Sequence, residues 1–264
     1  MPFAWKLLAF MKRDFAIDTS YKLSFALEAA HVAIAVAAYY FFSRLLGSVR
    51  PQGYGSFPFL LVGMTVNAYM TTCLVCFSQT IRGNQLTGTL KAILATPTSP
   101  TALLVCSSTY PFVRASVDAA VYLGVGTMFG VSILHMNLLA AALVLLLSLL
   151  AFSSVGIMSA TFTLVFKRGD PLLWLFASAS FLLGGVLYPT DLLPPFLRSV
   201  ATLLPITHAT NGLRAALLSG GSPLAIAPDL AVLGVFALVG VPTSLLVFRL
   251  GVEHARRTGT LDHQ

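Results

Sequence analysis

Residues 138–166 read LLAAALVLLLSLLAFSSVGIMSATFTLVF, an apolar stretch without one charged side chain. A helix of about twenty such residues, rising about 1.5 Å per residue, crosses the hydrocarbon core of a bilayer. The stretch stops at Lys167-Arg168-Gly169-Asp170-Pro171, a charged and helix-breaking border. Around it the same pattern recurs: about Leu23 to Leu46, Phe57 to Thr80, Ala102 to Ile133, from Leu172 to near Tyr188, and Leu230 to Leu250. The predicted fold is therefore an all-α integral membrane protein with six transmembrane helices. Composition agrees, since 57% of the 264 residues are hydrophobic and 9% are charged. A soluble domain carries about 25% charged residues. Disordered, collagen-like, disulfide-framework and soluble-enzyme readings are excluded.

The flanks carry the remaining information. In residues 1–20, Phe3, Leu7, Leu8, Met11 and Phe15 recur at helical spacing, with Lys6 and Arg13 opposite. That pattern predicts an amphipathic helix lying in the interface, not a cleaved leader. Between the fifth and sixth spans, residues 188–228 are apolar but broken by Pro189, Pro194, Pro195 and Pro205. No clean crossing fits there, so a re-entrant helical hairpin is expected, its broken backbone lying against protein or a water-filled cavity. The net charge of +7 forms no nucleic-acid patch; the basic residues sit at the ends of the apolar runs. With both termini inside, the inner flanks hold Lys6, Lys12, Arg13, Lys22, Arg82, Lys91, Lys167, Arg168, Arg249, Arg256 and Arg257. The outer side then holds only Arg44, Arg50, Arg198 and Arg214. Basic residues favour the cytoplasmic side, which predicts a multi-pass protein of the cell inner membrane with both termini cytoplasmic.

Few residues inside the spans carry chemistry. Arg114 and Asp118 are four apart on span three and share a helix face, as an intramembrane ion pair. That pair reads either as a gating element or as an intrahelical lock on the orientation of span three. Glu28 and His31 lie one turn apart near the inner end of span one, as a coupled pair or as interfacial side chains reaching water. Cys73 and Cys76 form C-x-x-C without a second pair or a nearby His, and read with Cys106 as packing residues. Asn67 suits an interhelical hydrogen bond, and Gly126 with Gly130 suits close helix approach. No phosphate-binding loop, nucleophile elbow or H-E-x-x-H occurs. No catalytic, cofactor-binding or metal-binding residue is expected.

Two stretches resemble the membrane subunits of ABC-2 type transporters, the permease family that includes daunorubicin-resistance-like and nodulation-factor-export-like proteins. One runs Leu182-Leu183-Gly184-Gly185-Val186-Leu187-Tyr188-Pro189, through Leu193-Pro194-Pro195, to Leu204-Pro205-Ile206-Thr207-His208 and Arg214. It is similar to the family's C-terminal signature. The other runs from Gly88 to Pro100, Gly88-Thr89-Leu90-Lys91 leading to Thr96-Pro97-Thr98-Ser99-Pro100. It is similar to the loop between the family's second and third spans, although Gln85 and Lys91 stand where relatives often carry acids.

The resemblance implies one transmembrane domain over residues 1–264, with 82–100 as a cytoplasmic coupling loop and 188–228 as an outer re-entrant segment. It further implies an exporter permease for an amphiphile such as a drug, lipid or glycolipid, working as a homodimer or with a similar permease. ATP would be hydrolysed by separate nucleotide-binding subunits, coupled through Gly88, Thr89, Leu90, Lys91 and Pro97. Gly184, Gly185, Pro189, Pro205, His208 and Arg214 would form the outer gate. His208 and Arg214 read either as contacts to an anionic head group or as pins on backbone carbonyls. The family's substrate wall would fall on Phe41, Tyr69, Phe77, Trp174 and Phe176. The competing reading is an ATP-independent, ion-coupled carrier or channel using Arg114, Asp118, Glu28 and His31. An embedded enzyme has no supporting motif. Membrane lipids are expected partners; nucleic acid is not.

Overall fold

The computed structural model describes residues 3–20, 22–45, 47, 50–86, 88, 100–131, 136–166 and 170–257, and every regular element among them is helical. In chain order these are α1 (Phe3–Ser20), α2 (Lys22–Leu45), α3 (Ser56–Leu86), α4 (Pro100–Met128) and α5 (Leu138–Phe166). They continue as α6 (Pro171–Leu183), α7 (Pro195–Thr202), α8 (Pro205–Leu218) and α9 (Ala227–Arg257). Short tighter turns occupy Pro51–Gly53 and Thr190–Leu192. Proline opens α4, α6, α7 and α8, where its missing N–H costs nothing and its fixed φ suits the first turn.

The stretch that sets the class also forms the centre of the bundle. α5 is apolar on all sides, and α3, α8 and α9 pack around it. Its buried positions include Ala140, Ala141, Ser148, Ala151, Ser154, Gly156, Ser159 and Ala160, small enough for close helix approach. Three apolar clusters follow along the bundle. The middle one joins Val66, Met70, Val144, Phe152, Leu213 and Leu233. At one end Phe77, Ile81, Leu104, Leu164, Phe248 and Val252 gather the ends of α3, α5 and α9 with the start of α4. At the other end Val36, Phe57, Leu61 and Tyr122 pack beneath the rings of Tyr40 and Phe129. α1 lies against α4 at the first of these ends, so α1 and the last turns of α9 share one end of the bundle.

Three helices, Ser56–Leu86, Leu138–Phe166 and Ala227–Ala255, are each long and apolar enough to cross a membrane. The shorter apolar helices are Ala30–Leu45 and Pro171–Leu183. Several boundaries differ from the sequence expectation. α3 runs on to Leu86, so the polar stretch from Arg82 begins as helix instead of loop. α4 ends at Met128 and tolerates Pro111 inside it. α6 stops at Leu183 because Gly184 and Gly185 break it, Gly185 taking φ +71°, where a side chain is strained. Pro242 lies inside α9 without ending it. Of the G-x-x-x-G pair, Gly126 faces Leu61 of α3, whereas Gly130 lies past the end of α4 with nothing near its Cβ position among the described residues.

Candidate functional site

At the end of the bundle shared by α1 and the last turns of α9, one basic side chain joins two helices. Arg114 Nη1 donates to Asp18 Oδ2 at 2.6 Å, and Arg114 Nε donates to Asp118 Oδ1 at 3.3 Å. Tyr110 Oη donates to the same Asp18 oxygen at 2.5 Å. The expected pair of Arg114 and Asp118 is present, but the shorter contact reaches α1. Asp18 was not singled out from the sequence. Its partner is ninety-six residues away, beyond any local spacing rule. Glu28's side chain lies outside the described residues, and His31 is exposed.

Open spaces lie around this cluster. A cavity of about 690 Å³ separates α1, α3 and α4, with Asp14, Asp18, Thr72, Gln79, Asn84 and Tyr110 among its lining residues. A smaller one of about 140 Å³ is lined by Thr72, Tyr69, Tyr122 and Asp118, among others. Tyr69 and Phe77 are buried, Phe41 and Trp174 are exposed, and Phe176 is half-buried. Cys73, Cys76 and Cys106 are buried.

A second polar junction at this end was also missed. Asp170 caps α6, its Oδ1 accepting from the Leu173 N–H at 3.0 Å. Its Oδ2 accepts from Ser78 Oγ at 3.0 Å, from the Ser159 hydroxyl, and from Thr163 Oγ1 at 3.4 Å. One carboxylate thus ties α3, α5 and α6. The signal was present: Asp before Pro at the head of an apolar run is a helix N-cap. Of the expected coupling residues, Gly88 takes φ +66° just past α3, its N–H bonded to the Gln85 carbonyl at 3.1 Å. Thr89, Leu90, Lys91 and Pro97 lie outside the described residues.

At the opposite end, the short helices α7 and α8 stand between α6 and α9. Arg214 is 1% exposed. Its Nε and Nη2 donate to the Phe59 carbonyl at 3.3 and 3.1 Å, and Nη2 also donates to the Val186 carbonyl at 3.1 Å. The guanidinium lies 3.4 Å from the centre of the Phe59 ring, a cation–π contact. Gly63 makes room for this, since a Cβ there would meet the Val186 oxygen at 2.2 Å and Arg214 Nη2 at 2.6 Å. Of the two readings open for Arg214, carbonyl pinning is the geometry found. It clamps the chain after Gly184-Gly185 onto α3.

His208 has a different task. Its Nδ1 faces Asp229 Oδ1 at 2.8 Å and its Nε2 faces the Thr202 carbonyl at 3.0 Å. Both partners are acceptors, so the ring bonds to both at once only as the imidazolium. The hydrogen bond to Asp229 raises its pKa above the ordinary value, against desolvation, with the Thr202 carbonyl adding to the rise. His208 therefore links α7, α8 and the start of α9. Pro205 opens α8, and Pro189 precedes the turn at Thr190–Leu192. At the same end Tyr54 Oη lies 2.6 Å from Ser219 Oγ, joining the turn before α3 to the end of α8.

No curated protein matches the chain. The family profile described as ABC-2 type transporter matches residues 8–218, which takes in most of α1, all of α2 through α8 and both polar junctions. Members of that family are membrane transport subunits and normally partner an ATP-binding subunit. An all-helical bundle with crossing-length apolar helices agrees with this. The chain belongs to the ABC-2 type transporter family and is a membrane permease component of an ABC transporter.

Proposed function

We propose that this chain is the permease half of an exporter that moves an amphiphile outward across the cytoplasmic membrane. ATP is bound and hydrolysed by separate subunits. The chain crosses the membrane six times, with α2, α3, α4, α5, α6 and α9 as crossings and α1 in the inner interface. α7 and α8 form the outer re-entrant hairpin. The 13 residues of α6 reach about 20 Å at 1.5 Å each, so residues 184–189 complete the fifth crossing. Exposed Lys12, Arg13, Arg82, Arg249 and Arg257 collect at the end that carries α1, which supports a cytoplasmic position for that end. Residues 82–100, with Gly88, Thr89, Leu90, Lys91 and Pro97, dock the ATPase there.

The observation that carries this reading is the family match over residues 8–218. The cavity between α1, α3 and α4 supplies an inner vestibule. Gly184, Gly185, Pro189, Pro205, His208 and Arg214 hold the outer closure. Two permeases, identical or homologous, face each other across the path. ATP-driven closure of the docked subunits shifts the pair between inward-open and outward-open populations. The test is copurification with a soluble ATPase encoded in a neighbouring reading frame. A stable complex, lost when residues 88–97 are replaced by a Gly-Ser linker, is expected. A folded permease that captures no ATPase contradicts the proposal.

A further inference from the structure

We infer that the groove between α1, α2 and α4 binds an amphiphile bearing a cationic amine head group. The inference rests on the permease reading above and names the substrate class of its inner end. The groove encloses about 250 Å³, with walls formed by Phe15, Val32, Val113, Val117 and Val121. Asp18, Arg114 and Asp118 stand along the same groove. The apolar wall is open sideways, with Phe15 59% and Val117 52% exposed. In a bilayer such a wall faces the acyl chains, so an amphiphile enters it tail-first without leaving the apolar phase.

Charge decides which head group fits. Two carboxylates contact the Arg114 guanidinium, each through a single oxygen, Asp18 through Oδ2 and Asp118 through Oδ1. Among the described residues, Asp18 Oδ1 and Asp118 Oδ2 accept no hydrogen bond. An ammonium group carries three donors and no acceptor, which suits two such oxygens. A sulfate or phosphate head would face two carboxylates at close range, with Coulomb repulsion strengthened by the apolar surroundings. The volume lies just below the usual range of about 300–1,000 Å³ for ligand sites, so a single alkyl chain fits better than a fused ring system.

The test uses the full chain in nanodiscs and tritiated n-decylammonium, with decanol and decyl sulfate of equal chain length as competitors. Saturable decylammonium binding is expected, with both competitors weaker by about tenfold or more, the order expected of a charge-assisted hydrogen bond. Asp118→Asn is expected to weaken decylammonium by a similar factor. Val117→Phe, which fills the groove and leaves every charge in place, is expected to abolish saturable binding. Decyl sulfate competing as well as decylammonium overturns the inference, as does unchanged affinity in both variants. Copurification with the ATPase separates the two claims. Failed binding with copurification intact sinks the site alone, whereas binding without an ATPase partner sinks the permease reading.

Discussion

Gly63→Ala puts the clamp between α8 and α3 under direct strain. The new methyl would lie 2.2 Å from the Val186 carbonyl oxygen and 2.6 Å from Arg214 Nη2. Ordinary contact needs more than 3 Å, so residues 184–189 must retreat by about 1 Å. Forcing a methyl into a packed site costs about 1–3 kcal/mol. The retreat also stretches the 3.1 Å bond from Arg214 to Val186 beyond hydrogen-bonding range. A bond from a charged donor is worth about 1.5–3 kcal/mol. Alanine returns about 1 kcal/mol of helix propensity over glycine. The net loss is about 2–5 kcal/mol. At about 2–4 °C per kcal/mol for a chain of this size, Tm falls by about 4–20 °C. The assay is built into the bundle. Cys73, Cys76 and Cys106 are all buried, so a fluorogenic maleimide reports unfolding in detergent as they become exposed. Gly234→Ala on α9 is the control, because nothing lies within 4 Å of its Cβ position. If Gly63→Ala melts within about 2 °C of the parent, or together with Gly234→Ala, the clamp does not bear on stability.

Three further outcomes follow from the polar junctions. His208 is held charged by Asp229 and Thr202, and its raised pKa fixes the sign of the pH dependence. Its contribution is complete below the ordinary His pKa of about 6.5 and fades as pH rises through the higher folded value. Melting scans from acid to mild alkali are therefore expected to show this loss in the parent and not in His208→Gln. Asp170→Ala removes a helix cap worth about 1 kcal/mol and a carboxylate acceptor worth about 1.5–3 kcal/mol to its buried donors. Tm is expected to fall by about 5–15 °C, with Asp170→Asn recovering at least half because it keeps an acceptor for the Leu173 N–H. Asp18→Asn weakens the contact between α1 and α4. Asp18 is 42% exposed, so the effect is modest. Hydrogen exchange in α1 is expected to quicken by about threefold to tenfold while α5 stays protected.

Hydropathy alone located the central helix, because residues 138–166 are apolar on every side and bounded by charge. Boundaries were legible where a residue acts through its own backbone. Gly184-Gly185 ends α6, and proline starts four of the helices. What escaped were bonds between residues distant in the chain. Arg114 was read against Asp118 because a four-residue spacing is visible in one dimension, whereas its shorter bond to Asp18 exists only once α1 lies on α4. Asp170 looked like part of a charged border, and its ties to Ser78 and Ser159 needed α3 and α5 side by side. Arg214 was legible as important through its place in the signature. Its bond to the Phe59 carbonyl was not, because main-chain acceptors leave no mark on composition. The coupling residues beyond Gly88 lie outside the described residues, and their role rests on the resemblance.

The proposed export path draws its energy from a separate ATPase. The direct measurement is flux in proteoliposomes holding the permease with and without its copurifying ATPase, using fluorescent amphiphiles with cationic, neutral and anionic head groups. Flux is expected to require ATP and both proteins, and to stop when residues 88–97 are replaced. Equal flux by the permease alone, driven by a proton gradient without ATP, would contradict it.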